Sequence, residues 1–342
     1  MKIRSIKTKL QTIPLKTPFI TALRRVENVE FVRVFLMCEN GEVGIGEAPA
    51  TKAITGEDLD DIVHSIECIQ ESLLQTSPAE ALEILHASSI GSSAKAALDI
   101  ALVSLLAGGK KQKLFEYFGA KEACILQTDI TVSLKNQKMM LEDSVKFYEE
   151  GMDILKVKLG SDIAHAIQVT HSISKRLPDA KLIIDANQAW SVQDSLKFIQ
   201  AMQNVKIELI EQPVEAKDME GLKAITQISH IPILADEAVF TLEDAKKVIE
   251  TKSADMINIK LMKCGGLSQA VAILDYAKKM GVKCMLGSML EGPYSINAAL
   301  HLAMAYTDVI AYIDLDSPLL YKEVSQELEF MFDAKEIRYI DS

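Results

Sequence analysis

From about residue 124 one pattern recurs eight times: a short β-branched run, then an amphipathic helical stretch. The runs are ILQTDITV, DILKVKLG, KLIIDAN, KIELIEQP, IPILADE, DMINIKL, VKCMLGSM and VIAYIDLD. One residue near the end of each is Thr131, Lys158, Asp185, Glu211, Asp236, Lys260, Gly287 and Asp314, spaced by 24 to 27 residues. Eight β-α units at that period predict a parallel (β/α)8 barrel. A doubly wound open sheet would use fewer units and a Gly-rich phosphate turn after its first strand. The sequence has neither GxGxxG nor a GxxxxGK turn.

The first third reads differently, as mixed α+β. Residues 2–13 alternate as a strand, and residues 29–38 are β-rich and lead into Asn40-Gly41, a strong hairpin signal. The segment EVGIGEA supplies another strand. Helices are predicted at about 57–75, 79–87 and 92–107, the last Ala-rich and stopped by Gly108-Gly109. Strands followed by helices predict a separate α+β domain. The final 20 residues, ending in KEIRYIDS, read as a strand returning to that domain.

Charge narrows the classes of partner. The formal net charge is −11, which argues against nucleic acid and against an anionic membrane surface. The five cysteines form no CxxC pair, so no zinc site or disulfide framework is expected and a cytoplasmic location fits best. The N-terminal stretch MKIRSIKTKLQTIPLKTPF is charged and interrupted by prolines, unlike a signal peptide. No run of 18 apolar residues predicts a membrane span.

In a barrel of this kind chemistry sits at the C-terminal strand ends. A lone Asp there is commonly a helix cap. Here Asp185, Glu211 and Asp236 end three successive strands and should converge on one point. Converging carboxylates repel unless a cation lies among them, and an all-oxygen donor set favours Mg2+. Lys158 and Lys260 end strands two and six, which face each other across an eight-strand ring. Alternation puts Lys156 on the face of Lys158 and Asn258 on that of Lys260. Burial and neighbouring cations should lower a lysine pKa and make an amine base feasible. A metal holding a substrate carboxylate would stabilise an enediolate, with one lysine removing the α-proton and the other returning one on the opposite face. Racemisation or epimerisation is the natural outcome.

These motifs resemble the enolase superfamily in its muconate-lactonising-enzyme subgroup. They are Lys156-Val157-Lys158, Asp185-Ala186-Asn187, Glu211-Gln212-Pro213, Asp236-Glu237 and Asn258-Ile259-Lys260. The resemblance implies an α/β fold, a modified (β/α)8 TIM-type barrel over 124–320. An N-terminal α+β capping domain would span 1–123, completed by about 321–342. It implies Mg2+ on Asp185, Glu211 and Asp236, and Lys158 and Lys260 as paired acid/base catalysts. Lys156 would help hold the substrate carboxylate and tune Lys158. Lys263 reads as a loop residue without a catalytic role.

The narrower resemblance is to dipeptide epimerases, especially the L-Ala-D/L-Glu type. Its feature is Asp314-Leu315-Asp316, whose two carboxylates share one face and would recognise the free α-ammonium of a dipeptide. Thr131 and, more weakly, Ser288 would contact the same substrate. Side-chain preference would come from cap loops near 19–25 and 51–56. There Arg24 matches the family position for pairing with a glutamate side chain, with Arg25 as the alternative. The reaction implied interconverts L-Ala-L-Glu and L-Ala-D-Glu, in murein peptide metabolism. Alternatives are epimerisation of other dipeptides, such as hydrophobic ones, or o-succinylbenzoate synthase or muconate cycloisomerase activity. The last two act on substrates with no ammonium for Asp314 and Asp316. Related barrels often form homo-oligomers.

Overall fold

Strands β1 (Ile3–Ile20), β2 (Arg25–Cys38) and β3 (Val43–Pro49) form an antiparallel sheet in that order. The computed structural model describes residues 1–20 and 25–340. Gly41 takes the positive φ of 87° that the Asn40-Gly41 turn requires. β1 continues to Ile20, well beyond the predicted end at residue 13. As an edge strand it tolerates Pro14 and Pro18, and its pairing with β2 shifts register between Pro14 and Phe19. Helices α1 (Lys52–Thr55), α2 (Leu59–Leu73), α3 (Pro78–Ala87), α4 (Ser92–Gly109) and α5 (Leu114–Tyr117) follow. α4 has the length and apolarity of a membrane span, yet it is 67% buried as the helix on which this sheet packs. A Cβ on Gly44 would lie 2.3 Å from the Ala101 carbonyl oxygen, and one on Gly46 1.9 Å from that of Ala97. The GxG of β3 and the alanines of α4 thus let backbone approach backbone.

β4 (Leu126–Gln127) leads into the first barrel strand, β5 (Ile130–Val132), and α6 (Gln137–Glu149) follows. The alternation continues with β6 (Ile154–Lys158), α7 (Ile163–Arg176), β7 (Lys181–Asp185), α8 (Val192–Ala201), β8 (Ile207–Glu211) and α9 (Met219–Ile228). Next come β9 (Ile233–Ala235), α10 (Leu242–Thr251), β10 (Met256–Lys260), α11 (Leu261–Cys264) and α12 (Leu267–Met280). The last units are β11 (Cys284–Gly287), α13 (Pro293–Ala305), β12 (Ile310–Asp314) and α14 (Ser317–Leu320). β5 to β12 form one parallel eight-stranded sheet in sequence order. Below the strand ends the interior is filled by Ile154, Ile183, Leu209, Leu234, Met256 and Met285. The first five each lie an even number of residues before a polar strand end, and Met285 lies two before Gly287, so alternation aims those ends into the barrel as well.

The predicted first strand, ILQTDITV, is broken at Thr128-Asp129. There the seam between β12 and β5 is closed without a regular ladder. Asp129 N–H donates to the Ile313 carbonyl (3.1 Å), and Leu315 N–H donates to the Thr128 hydroxyl (3.1 Å). The C-terminal segment forms β13 (Phe330–Asp333) and β14 (Glu336–Tyr339), and β14 pairs with β4 at the N-terminal end of the first barrel strand. It reaches the N-terminal elements through a Leu15–Tyr321 bridge and the Phe115–Tyr339 ring contact.

Two buried acids fasten the N-terminal layer over the barrel mouth. Asp99 of α4 accepts from Ser268 N–H at the start of α12 (3.1 Å) and meets His86 Nε2 (3.0 Å). Glu47 of β3 accepts from Tyr294 N–H (2.8 Å) and Ser295 N–H (3.3 Å) in the first turn of α13, and from Arg33 Nε (2.7 Å). Burial pushes the Glu47 carboxyl up to about 7 against the pull of Arg33. Glu47→Ala strips a helix cap and leaves Arg33 with Glu327 alone, so about 3 kcal/mol of stability should be lost in urea unfolding. A loss below about 0.5 kcal/mol, the level of an exposed pair, would show that the latch is unimportant.

Candidate active site

Strand register assembles the site. Lys158 pairs across the sheet with Asp185, and Asp185 with Glu211. On the other arc Lys260 pairs with Gly287, and Gly287 with Asp314. β6 and β10 are four strands apart, so the two lysines rise from opposite walls, and both line one cavity beneath Phe19 and Ile54. Thr131, Ser288, Asp314 and Asp316 line it too. Gly287 is required by the crowding: a Cβ there would lie 2.9 Å from Asn258 Oδ1 and 3.1 Å from Lys260 Cε.

Each predicted metal carboxylate is buried and ion-paired within the chain. Lys158 Nζ donates to Asp185 Oδ2 (2.5 Å), and Lys260 Nζ donates to Asp236 Oδ2 (2.7 Å). Lys156 Nζ lies 2.6 Å from Glu211 Oε2, 2.5 Å from Asp314 Oδ2 and 3.4 Å from Asp185 Oδ2. Burial opposes charge on all three carboxylates. For Asp185 it is outweighed by Lys158 and Lys156, and for Asp236 by Lys260 and Lys263, so both stay below the usual carboxylate range. Glu211 goes the other way, up to about 7, through burial and then the charges of Asp185 and Asp236. Burial and repulsion therefore outweigh Lys156, the lysine 2.6 Å from Glu211. Three hard carboxylate oxygens from adjacent strand ends fit Mg2+.

The lysines depart from one expectation. Burial alone would lower Lys260, but Asp236 and then Glu211 outweigh it and hold its pKa above the ordinary lysine value. Lys156 is likewise held charged by Asp314, Glu211 and Asp185.

The second acidic group lies on the β5–β12 side. Among the described residues, Asp129, Asp314 and Asp316 are the acids that each place an oxygen within 4.8 Å of the others. Asp316 Oδ2 accepts from Thr131 N–H (2.8 Å). Lys156 outweighs burial at Asp314 and keeps it below the usual range, whereas burial and the Asp314 charge push Asp316 up to about 6. Ser288 sits at the rim, its N–H donating to the Asp314 carbonyl (3.0 Å).

Several buried supports escaped sequence reasoning. Lys263 is a buried anchor rather than a loop residue: its Nζ donates to Asp236 Oδ1 (2.6 Å) and to the Asn258 carbonyl (3.0 Å). The short helix α11 folds it back under the strand ends, which linear spacing cannot show. Asn258 Nδ2 donates to Glu211 Oε1 (2.8 Å). Gln212 Oε1 accepts from Asp236 N–H (2.9 Å), with its backbone at φ 35°. Asn187 follows Asp185 at φ 44°, so left-handed backbone follows two of the three predicted metal carboxylates. Asp129 was legible in principle, since alternation puts it on the inward face two residues before Thr131. Arg24 lies outside the described residues. Arg25 is exposed and pairs with Glu27 (3.2 Å).

Known proteins share this architecture. Residues 140–339 match the family model described as "Enolase C-terminal domain-like". A Sulfurimonas denitrificans protein named L-amino acid-D/L-Glu epimerase is 60% identical over 99% of both chains. The L-Ala-D/L-Glu epimerase of Bacillus subtilis, solved as a substrate-liganded complex, superposes with a TM-score of 0.95 at 39% identity, covering 99% of this chain and 96% of that one. A dipeptide epimerase of Enterococcus faecalis, complexed with Mg and L-Leu-L-Tyr, gives 0.93 at 33% identity, covering 100% and 98%. The chain belongs to the enolase superfamily, within its group of Mg-dependent dipeptide epimerases.

Proposed function

We propose that the protein inverts the α-carbon of the C-terminal residue of a dipeptide, with L-Ala-L-Glu and L-Ala-D-Glu as the favoured pair. The observation that carries this reading is that Lys158 and Lys260 open from opposite walls onto a cavity that Asp314 and Asp316 also line. A dipeptide is a chain with an acidic α-carbon at one end and an ammonium at the other, which matches both. Asp185, Glu211 and Asp236 would hold Mg2+. When bound, the cation supplies Lewis-acid stabilisation for the negative charge that develops on the substrate carboxylate as the α-proton leaves. Lys158 and Lys260 move protons on the two faces. Lys156 ties the carboxylates of the metal end to Asp314 and helps orient the substrate carboxylate. Asp314 and Asp316, with Thr131 and Ser288 beside them, receive the ammonium.

Glutamate is favoured at the inverted position because the relatives named above include two D/L-Glu epimerases, and because Arg24 matches the pairing position for a carboxylate side chain. Residues 124–320 would be the catalytic barrel, with 1–123 and about 321–342 as its cap. The cysteine usage favours a cytoplasmic enzyme, the L-Ala-D/L-Glu pair would place it in murein peptide metabolism, and a homo-oligomer would match related barrels. The test is α-hydrogen exchange in D2O with Mg2+ present, on L-Ala-L-Glu and on L-Leu-L-Tyr. Faster exchange of the glutamyl dipeptide by about tenfold or more supports the specificity, since a matched charge pair is worth that much. Preference for L-Leu-L-Tyr moves the protein to the hydrophobic alternative, and exchange of neither removes the dipeptide reading.

A further inference from the structure

Asp129 is a buried acid that the chemistry above does not use. It is 1% exposed, and among the described residues no donor group reaches either carboxylate oxygen. It lies within 4.8 Å of Asp314 and Asp316 but does not line the cavity, as those two do. It therefore stands behind the pair. Its backbone is pinned to the strand that carries Asp314, through the N–H bond to Ile313 that closes the barrel seam.

Charge decides what it can do there. Three neighbouring buried acids cannot all ionise against one ammonium. The ammonium present, Lys156, is 2.5 Å from Asp314 and is shared with Glu211. One acid must keep a proton. Asp129 is the one pushed well above the usual range, by burial first and then by the charge of Asp314, while Lys156 holds Asp314 ionised. A protonated carboxyl is a donor, and the nearby ionised acceptor is Asp314.

We propose that Asp129 is a positioning residue for the substrate's N-terminal ammonium: it donates its carboxyl O–H to Asp314 and fixes the Asp314/Asp316 pair at the cavity wall. The inference deepens the dipeptide reading and rests on it. A fixed pair suits an ammonium, which brings charge and three donors, and not an acylated nitrogen, which brings one neutral N–H. Asp129 therefore sets the preference for free dipeptides over N-blocked ones, and it acts on binding more than on proton transfer.

Steady-state kinetics on L-Ala-L-Glu and N-acetyl-L-Ala-L-Glu, for the Mg2+-loaded wild type, Asp129→Ala and Asp129→Asn, test it. The readout is the ratio of kcat/KM for the free over the blocked dipeptide. Asp129→Ala should lower that ratio by about tenfold or more, the effect of losing a hydrogen bond to a charged group. The loss should appear in KM of the free dipeptide, with kcat within about threefold and the blocked substrate little changed. Asp129→Asn keeps an N–H donor toward Asp314 and should hold the ratio within about threefold of wild type. An unchanged ratio in Asp129→Ala overturns the inference, and so does an Asp129→Asn variant as impaired as the alanine. If the alanine variant does not fold, the asparagine variant decides alone: a kept ratio supports the role and a lost one overturns it. A wild type that turns over neither substrate overturns the dipeptide reading and takes this inference with it. A wild type that turns over the free dipeptide, with variants that match it, overturns this inference only.

Discussion

Lys158→Ala and Lys260→Ala should each stop net epimerisation, lowering turnover by about 10³-fold or more, near the upper range for a positioned acid or base. The reason is geometric. The two amines lie on strands four apart and reach one cavity from opposite walls, so neither can serve both faces of a planar carbon. Each variant keeps one amine. It should therefore still exchange the α-proton of one epimer with D2O, while the other epimer stays inert, and the two variants should retain opposite epimers. Proton NMR of each dipeptide epimer in D2O separates the outcomes. A one-base enzyme would lose exchange of both epimers in one variant and neither in the other. Net inversion within about tenfold of wild type in either variant would remove that lysine from the chemistry. Both residues are 7% exposed and ion-paired, so circular dichroism should accompany the kinetics.

Removing the cation is the second large effect. Chelation by EDTA should lower turnover by more than about 100-fold, and added Mg2+ should restore it. The fold should survive the treatment. Asp185, Glu211 and Asp236 are each paired with Lys158, Lys156, Lys260 or Lys263, so the carboxylates do not face one another uncompensated when the cation leaves. The expected thermal shift is a few degrees rather than unfolding. Glu211→Gln should weaken Mg2+ binding in calorimetry and raise the Mg2+ needed for half-maximal turnover, because Glu211 is the carboxylate most crowded by its neighbours. EDTA-resistant turnover would mean that the trio does not serve a metal in this reaction. A chelated protein that unfolds would mean that the lysines do not compensate the carboxylates.

Most of the site was legible because a barrel strand is a simple object. Its period of two and its polar end fix which residues point inward and where. Lys156, Lys158, Asp185, Glu211, Asp236, Lys260 and Asp314 all follow from that rule, and each is buried at a strand end or just below it. The rule fails where the chain leaves the strand. Lys263 comes back to Asp236 only through the turn of α11. Glu47 caps a helix 247 residues away, a contact that no local pattern encodes.

The sequence alone therefore determined the architecture and the kinds of chemical group at the strand ends. Both depend on local periodicity, which covalent geometry enforces residue by residue. Only the tertiary structure decided how those groups pair and which of them hold a proton. Lys260 pairs with Asp236 of the neighbouring strand, which favours its ammonium form, and Asp129 is pushed toward neutrality by burial and then by the charge of Asp314. Electrostatic energy falls off with distance through a low-dielectric interior, so protonation follows from ångström separations between strands, which a linear sequence does not carry.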